Sequence, residues 1–382
     1  MTYSIQEILT IANGKEDFQF PVLNERKAEV LDHILKCKTP YMGGHISICD
    51  DCHNETIHYN SCRDRHCPCC GAIVKEQWID KTKSSLIDAP YHHIVFTVPH
   101  ELNQFFMCND KIMYDLFYKC VAETLKALSK DPKHKVEAEV GFISILHTWG
   151  QNLSFHPHIH VIFLAGGLRN NTFVKYANEF LFPFPVISRL FKGKLIDHID
   201  KAWRKNKLDY KPISDTEYSK LKSKLHKKKW TIYSKKTFDS AKYVIEYLGR
   251  YTHRVAISNS RIIKFDNEKV TFKYKDRKDK NKGKIMTLSL DEFSRRFLLH
   301  ILPKGFVKIR YYGLFSNTKK AEALSIIWNE TETELYVPEL LDLTSAEIIL
   351  KLFNKDITRC PKCNSDQLHT KLIRRKKRIQ LE

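Results

Sequence analysis

The sequence predicts an α+β protein with a Cys/His-rich N-terminal module, a core of strands and helices, and a basic, mainly helical insertion. Three observations carry that expectation. Short β-type runs, such as 91–99 and 158–164, alternate with stretches of helical periodicity. Six of the eleven cysteines fall between Cys49 and Cys70. Residues 168–235 change texture, with Pro183, Pro185, Pro212 and a lysine-rich run from Lys220 to Lys229.

Composition narrows the class. The 382 residues suffice for two or three domains. An apolar share of 42% supports a real core and excludes wholesale disorder. Lys and Arg number 64 against 44 Asp and Glu, a formal net charge of +20. That excess points to a polyanionic partner, nucleic acid before an anionic membrane surface. No stretch approaches a membrane span, and the apolar run from Leu181 to Leu190 is broken by two prolines. The first ten residues lack the basic and apolar regions of a signal peptide, so a cytoplasmic location is expected. Cysteines in that compartment serve as metal ligands more often than as disulfides.

Along the chain, residues 1 to about 40 read as helical, with apolar positions such as Ile5, Ile8, Leu9 and Val30, Leu31, Ile34. A turn-rich Cys/His segment spans 43–71, and a helix is expected from Ala72 to about Ile87. Strands follow at 91–99, 140–148 and 158–164, the last ending at Gly166-Gly167, with a helix from Asn109 to Leu128 between the first two. A helix is expected over about 240–253, strands at 261–264, 269–274 and 285–289, and a helix over 290–302. The boundaries expected are 1–88, 89–167, 168–235, 236–318 and 319–382.

Cys49-x2-Cys52 and Cys67-x2-Cys70 are separated by fourteen residues. Two such knuckles can place four thiolates tetrahedrally around one Zn²⁺. His45, Cys62 and His66 are a candidate second set, with Cys69 nearby. Cys37, Cys108 and Cys120 read as small buried hydrophobes. Arg63, Arg65 and Lys75 surround the knuckles and are candidate DNA contacts. Cys360 and Cys363 form a third knuckle, with His369 as its nearest further ligand.

The run from His156 to His160 is the most informative stretch. Alternate side chains of a strand share a face, so His156, His158 and His160 point one way while Ile159 and Val161 enter the core. Imidazoles at i and i+2 can grip one divalent metal, and His147 on the preceding strand is the natural third ligand. Tyr243, Tyr247 and Tyr251 form one helical stripe, flanked by Arg250 and Arg254. Alone, the stripe reads as a boundary between core and solvent. Beside a metal, a tyrosine hydroxyl can attack a phosphodiester and form a phosphotyrosine.

Six segments run in order along the chain: residues 59–70 (YNSCRDRHCPCC), 96–99 (FTVP), 156–160 (HPHIH), 247–254 (YLGRYTHR), 297–306 (FLLHILPKGF) and 310–313 (RYYG). Together they resemble the two-tyrosine HUH transposases of the insertion-sequence-91 type. The resemblance implies an HUH nuclease core, a four- or five-stranded antiparallel sheet flanked by helices. It implies Tyr247 and Tyr251 as nucleophiles, His158 and His160 as ligands of a catalytic Mg²⁺ or Mn²⁺, and a structural Zn²⁺ in the N-terminal module. Implied too are a bacterial host, DNA ends presented as single strands or hairpins, and rolling-circle transposition. Arg250 and Arg254, like Arg63 and Arg65, are expected on the DNA. Two rival readings remain at this point: a zinc-ribbon DNA binder without catalysis, and a hydrolase using a histidine-bound metal and water.

Overall fold

Apolar periodicity and capping residues set the first helices. The computed structural model describes residues 3–134, 136–176, 182–238, 244, 249, 256–276, 279–331 and 336–375. Helix α1 (Ile5–Asn13) starts at a capping box in which the Ser4 side chain accepts from the Glu7 N–H. Helix α2 (Glu25–Lys36) starts at Asn24 and ends at Cys37. Strands β1 (Gly44–Cys49) and β2 (Glu55–Tyr59) form a hairpin. Helix α3 (Ala72–Lys83) leads into β3 (Tyr91–Thr97), α4 (Asn103–Cys108) and α5 (Asp110–Lys130). Strands β4 (Glu139–Trp149), β5 (Phe155–Arg169) and β6 (Thr172–Lys175) follow, then α6 (Phe184–Arg204), α7 (Asp215–Lys227) and β7 (Ile232–Phe238). The remainder comprises β8 (Ile262–Phe265), β9 (Lys269–Asp276), β10 (Lys282–Ser289), α8 (Leu290–Leu298), β11 (Ile309–Gly313), α9 (Lys320–Thr331), α10 (Ser345–Phe353) and β12 (Leu368–Ile373).

The central sheet runs β11-β4-β5-β3-β7, with β6 paired to the far end of β5, and every pairing is antiparallel. Ile94, Phe96, Phe142, Leu146, Ile159, Val161 and Phe163 cover one face, under α4, α5, α6 and α7. The other face carries Ile143, Ile145, Ile162 and Leu164, packed with Leu86, Val244 and Leu324. A third apolar cluster joins α1 and α2 to the sheet β8-β9-β10 and to α8. This is the expected α+β architecture, a sheet flanked by helices.

One expectation needs revision. Strand β5 does not stop at Gly166-Gly167 but continues to Arg169. A Cβ on Gly167 would sit 2.6 Å from the Glu139 carbonyl oxygen, so the glycine permits a close strand approach rather than marking an end. Asn170 and Asn171, both at positive φ, then turn the chain into β6. The basic insertion is helical and also joins the core: Ile187, Phe191, Leu195 and Ile199 recur every four residues on α6 and fill the main core. The C-terminal segment reaches back to the N-terminal module, where β12 pairs with β1 over six residues.

Candidate active site and metal centres

The register of β4 and β5 builds the histidine site. His147 lies directly opposite His158, and Ile145 opposite His160. His147, His158 and His160 therefore share one face and are each less than about a twentieth exposed (3%, 3% and 2%). One ring nitrogen from each lies within 4.8 Å of the others, a spacing suited to three ligands of one cation. The partners of the rings fix which nitrogen can coordinate. His158 Nδ1 lies 2.7 Å from the His156 carbonyl oxygen, which can only accept, so Nδ1 carries the proton and Nε2 is the ligand atom. His160 Nδ1 lies 2.9 Å from His93 Nε2 on β3, and the two rings are nearly parallel, 7° apart, meeting edge to edge. Sequence reasoning missed His93; two strands must pair before it meets His160.

A cavity of about 370 Å³ adjoins this site. Its walls include Trp78, Trp149, Tyr311, Phe306, Arg65 and Lys308. Trp149 stacks on His147 with centroids 4.8 Å apart, and Lys308 Nζ sits 5.0 Å from the Trp149 centroid. Burial, with the charge of Arg65 adding to it, pushes the Lys308 ammonium down to about 7. His300 is also part of the wall, between Thr148 Oγ1 at 3.2 Å and the Leu153 carbonyl at 3.1 Å, and burial holds it at about 4.

Tyr247, Tyr251, Arg250 and Arg254 lie outside the described residues. Val244 and Gly249, on either side of Tyr247 in sequence, are helical and buried. Val244 packs with Ile143, Ile145 and Ile162, on the sheet face that carries the histidines. A Cβ on Gly249 would lie 2.8 Å from Ile79 Cδ1.

The cysteines group differently from their spacing. Cys49, Cys52, Cys67 and Cys70 do not surround one point. Cys67 and Cys70 join Cys37 and Cys62, and Cys49 and Cys52 join Cys360 and Cys363. Cys37, at the end of α2, is a member of the first cluster rather than an inert hydrophobe. The reason is topological: the β1–β2 hairpin carries the first knuckle away from the second. His45 and His66 belong to neither cluster. His45 faces His58 across the hairpin, with centroids 5.1 Å apart. His66 Nδ1 lies 2.9 Å from Asp64 Oδ1 while Nε2 accepts the Leu302 N–H at 3.1 Å, so the ring ties the module to the segment after α8. His369 Nδ1 meets Asp50 Oδ1 at 2.7 Å and likewise belongs to neither cluster. Arg63 and Arg65 are exposed, and Arg65 Nη1 donates to the Phe306 carbonyl at 2.7 Å.

Comparison with known proteins identifies the family. A family model described as "Putative transposase" matches residues 141–322, and one described as "Transposase zinc-binding domain" matches residues 11–98. The chain is 35% identical over 361 residues to "Putative transposase y4qJ" of Sinorhizobium fredii, covering 92% of this chain and 90% of that protein. The chain belongs to the insertion-sequence-91 family of transposases. The transposase is also 27% identical over 371 residues to the "Transposase for insertion sequence element IS801" of Pseudomonas savastanoi pv. phaseolicola, covering 92% and 85% of the two chains. No solved structure matches it significantly.

Membership makes the transposase an enzyme that acts on DNA, in keeping with its positive charge. Among the described residues, no helix is long and apolar enough to cross a membrane. The zinc-binding match contains Cys37, Cys62, Cys67 and Cys70. Thiolates about 2.3 Å from a tetrahedral zinc lie roughly 3.8 Å apart, and Cys62 Sγ and Cys70 Sγ are separated by 3.7 Å. The cluster thus fits a structural Zn²⁺. The histidine triad could hold one divalent cation, with two of its three imidazoles held by hydrogen bonds on the opposite nitrogen.

Proposed function

We propose that this transposase nicks and rejoins single DNA strands through a 5′-phosphotyrosine, with Tyr247 and Tyr251 as the nucleophiles. The single observation that carries the reading is the histidine triad, assembled by strand register on the face where Val244 packs. His147, His158 and His160 would hold Mg²⁺ or Mn²⁺, which when bound polarises the scissile phosphate and offsets its developing charge. One tyrosine oxygen attacks phosphorus. The Tyr–O–P bond forms as the bond to the 3′ oxygen breaks, and the phenolic proton is balanced by the 3′-OH that is released. The ester energy is kept, so rejoining needs no ATP. Host synthesis extends the 3′-OH while the transposon strand is displaced, and the second tyrosine serves the later transfer of a rolling-circle cycle.

The cavity beside the triad supports a single-stranded or hairpin substrate. Trp78, Trp149 and Tyr311 offer stacking surfaces, and Arg65 offers positive charge. Arg63, Arg250 and Arg254 would add phosphate contacts, so affinity falls steeply with salt.

A covalent-adduct assay tests the reading. Labelled single strands from both flanks of the gene are incubated with protein and Mg²⁺ and run on a denaturing gel. A protease-sensitive shifted band that survives Tyr247→Phe or Tyr251→Phe but not the double change is expected. Cleavage without an adduct would mean a metal-activated water and a hydrolase instead.

A further inference from the structure

We propose that Cys49, Cys52, Cys360 and Cys363 form a second structural zinc site, which fastens the C-terminal segment to the N-terminal module. The inference does not depend on the strand-transfer reading. Two of the four ligands lie beyond both family matches, at 141–322 and 11–98.

Geometry is the first support. The four sulfurs lie within 4.8 Å of one another. Cys49 Sγ and Cys363 Sγ are 3.5 Å apart, as are Cys52 Sγ and Cys360 Sγ, across sequence separations of 314 and 308. Those contacts approach the roughly 3.8 Å of a tetrahedral zinc tetrathiolate. They are far from the S–S bond length of about 2.05 Å.

The backbone supplies the second support, because the two knuckles are copies of each other. The Cys49 N–H donates to the Asn54 carbonyl at 3.1 Å, and the Cys360 N–H to the Ser365 carbonyl at 2.8 Å. The His53 N–H donates to the Cys49 carbonyl, and the Asn364 N–H to the Cys360 carbonyl, both at 2.9 Å. His53 and Asn364, each the residue after the second cysteine, both adopt positive φ (54° and 62°). Two unrelated turns have no reason to share all three features. Two halves of one metal site do, since each must present its pair of sulfurs the same way.

The third support is what the segment lacks. Every residue from 351 to 359 is exposed, and so are most of 361–371; Cys360 alone is buried, at 2% exposure. No apolar contact of its own can hold such a segment in place. Strand β12 adds backbone pairing to β1, but its side chains are mostly exposed too. Metal coordination supplies what packing does not, and its binding energy becomes the energy of ordering the segment.

Zinc content of the purified full-length chain tests this. Inductively coupled plasma mass spectrometry should find two zinc ions per chain, one in the folded Cys360→Ser/Cys363→Ser double variant, and two again in Cys363→His, which restores a nitrogen ligand. Far-UV circular dichroism would verify that the double variant keeps its secondary structure. In parallel, trypsin should cut at Lys355, Arg359 and Lys362 in the double variant and spare them in the parent. One zinc in the parent, two in the double serine variant, or a disulfide between the knuckles on non-reducing peptide mapping would each overturn the proposal.

Discussion

The histidine site and the cysteine module are assembled by opposite means. The three histidines sit on two strands joined by a short connection, and their meeting follows from pairing β4 with β5. The cysteines come from α2, from the β1–β2 hairpin, from the turns before α3 and from the C-terminal segment, and only tertiary topology decides which share a centre. A site built on register tolerates change around it. A site built on topology holds distant pieces together, so losing one ligand should unmake structure as well as chemistry.

The sharpest way to break that contrast is to remove one ligand from each. Cys62→Ser should unfold the N-terminal module, because structural zinc contributes on the order of 10 kcal/mol or more in small zinc domains. Thermal melts followed by circular dichroism would show a lost or strongly lowered transition, and an unchanged melt would deny the cluster a structural role. His160→Ala should leave the melt nearly intact but cost more than the about 10–100-fold typical of outer partners of a metal ligand, read as cleavage of labelled single-stranded DNA with Mn²⁺. His93→Phe sharpens the point, since it leaves all three ligands and removes only the partner of His160 Nδ1. It should weaken Mn²⁺ affinity by about 10–100-fold, measured by metal titration of cleavage.

The smallest effect concerns pH. Burial holds His300 at about 4, against about 6.5 when unfolded. Between those values the unfolded chain binds a proton that the folded chain refuses. His300 therefore contributes stability that is full above about 6.5 and is lost as pH falls toward 4, with a slope of at most about 1.4 kcal/mol per pH unit. Urea unfolding at several pH values should show a shallower acid dependence in His300→Gln than in the parent.

The same contrast explains what was legible in the sequence. The period-two pattern of 156–163 was enough to put Ile159 and Val161 in the core and the histidines opposite, and spacing alone singled out His147. His93 was not legible, because nothing in YHHIVFT tells which of its two histidines will face β5's His160. The cysteine partition was not legible either. Even spacing of two knuckles suggests a common ion, and the β1–β2 hairpin between them carries no mark of a distant partner. Gly166-Gly167 misled for a related reason: two glycines look like a stop, but here they admit the backbone of β4 and the side chains of β6 and the segment after it.

The pairing of β1 with β12 also orders events in time. Strand β1 has β2 on one side within a few residues, but its other edge waits for residues 368–373. At about 5–20 residues per second of synthesis, that wait is on the order of tens of seconds. Throughout it the nascent chain presents an open sheet edge, a template for stray pairing. Completion of the hairpin sheet is thus a late event of biogenesis, and a chain interrupted before its last strand would carry that open edge permanently.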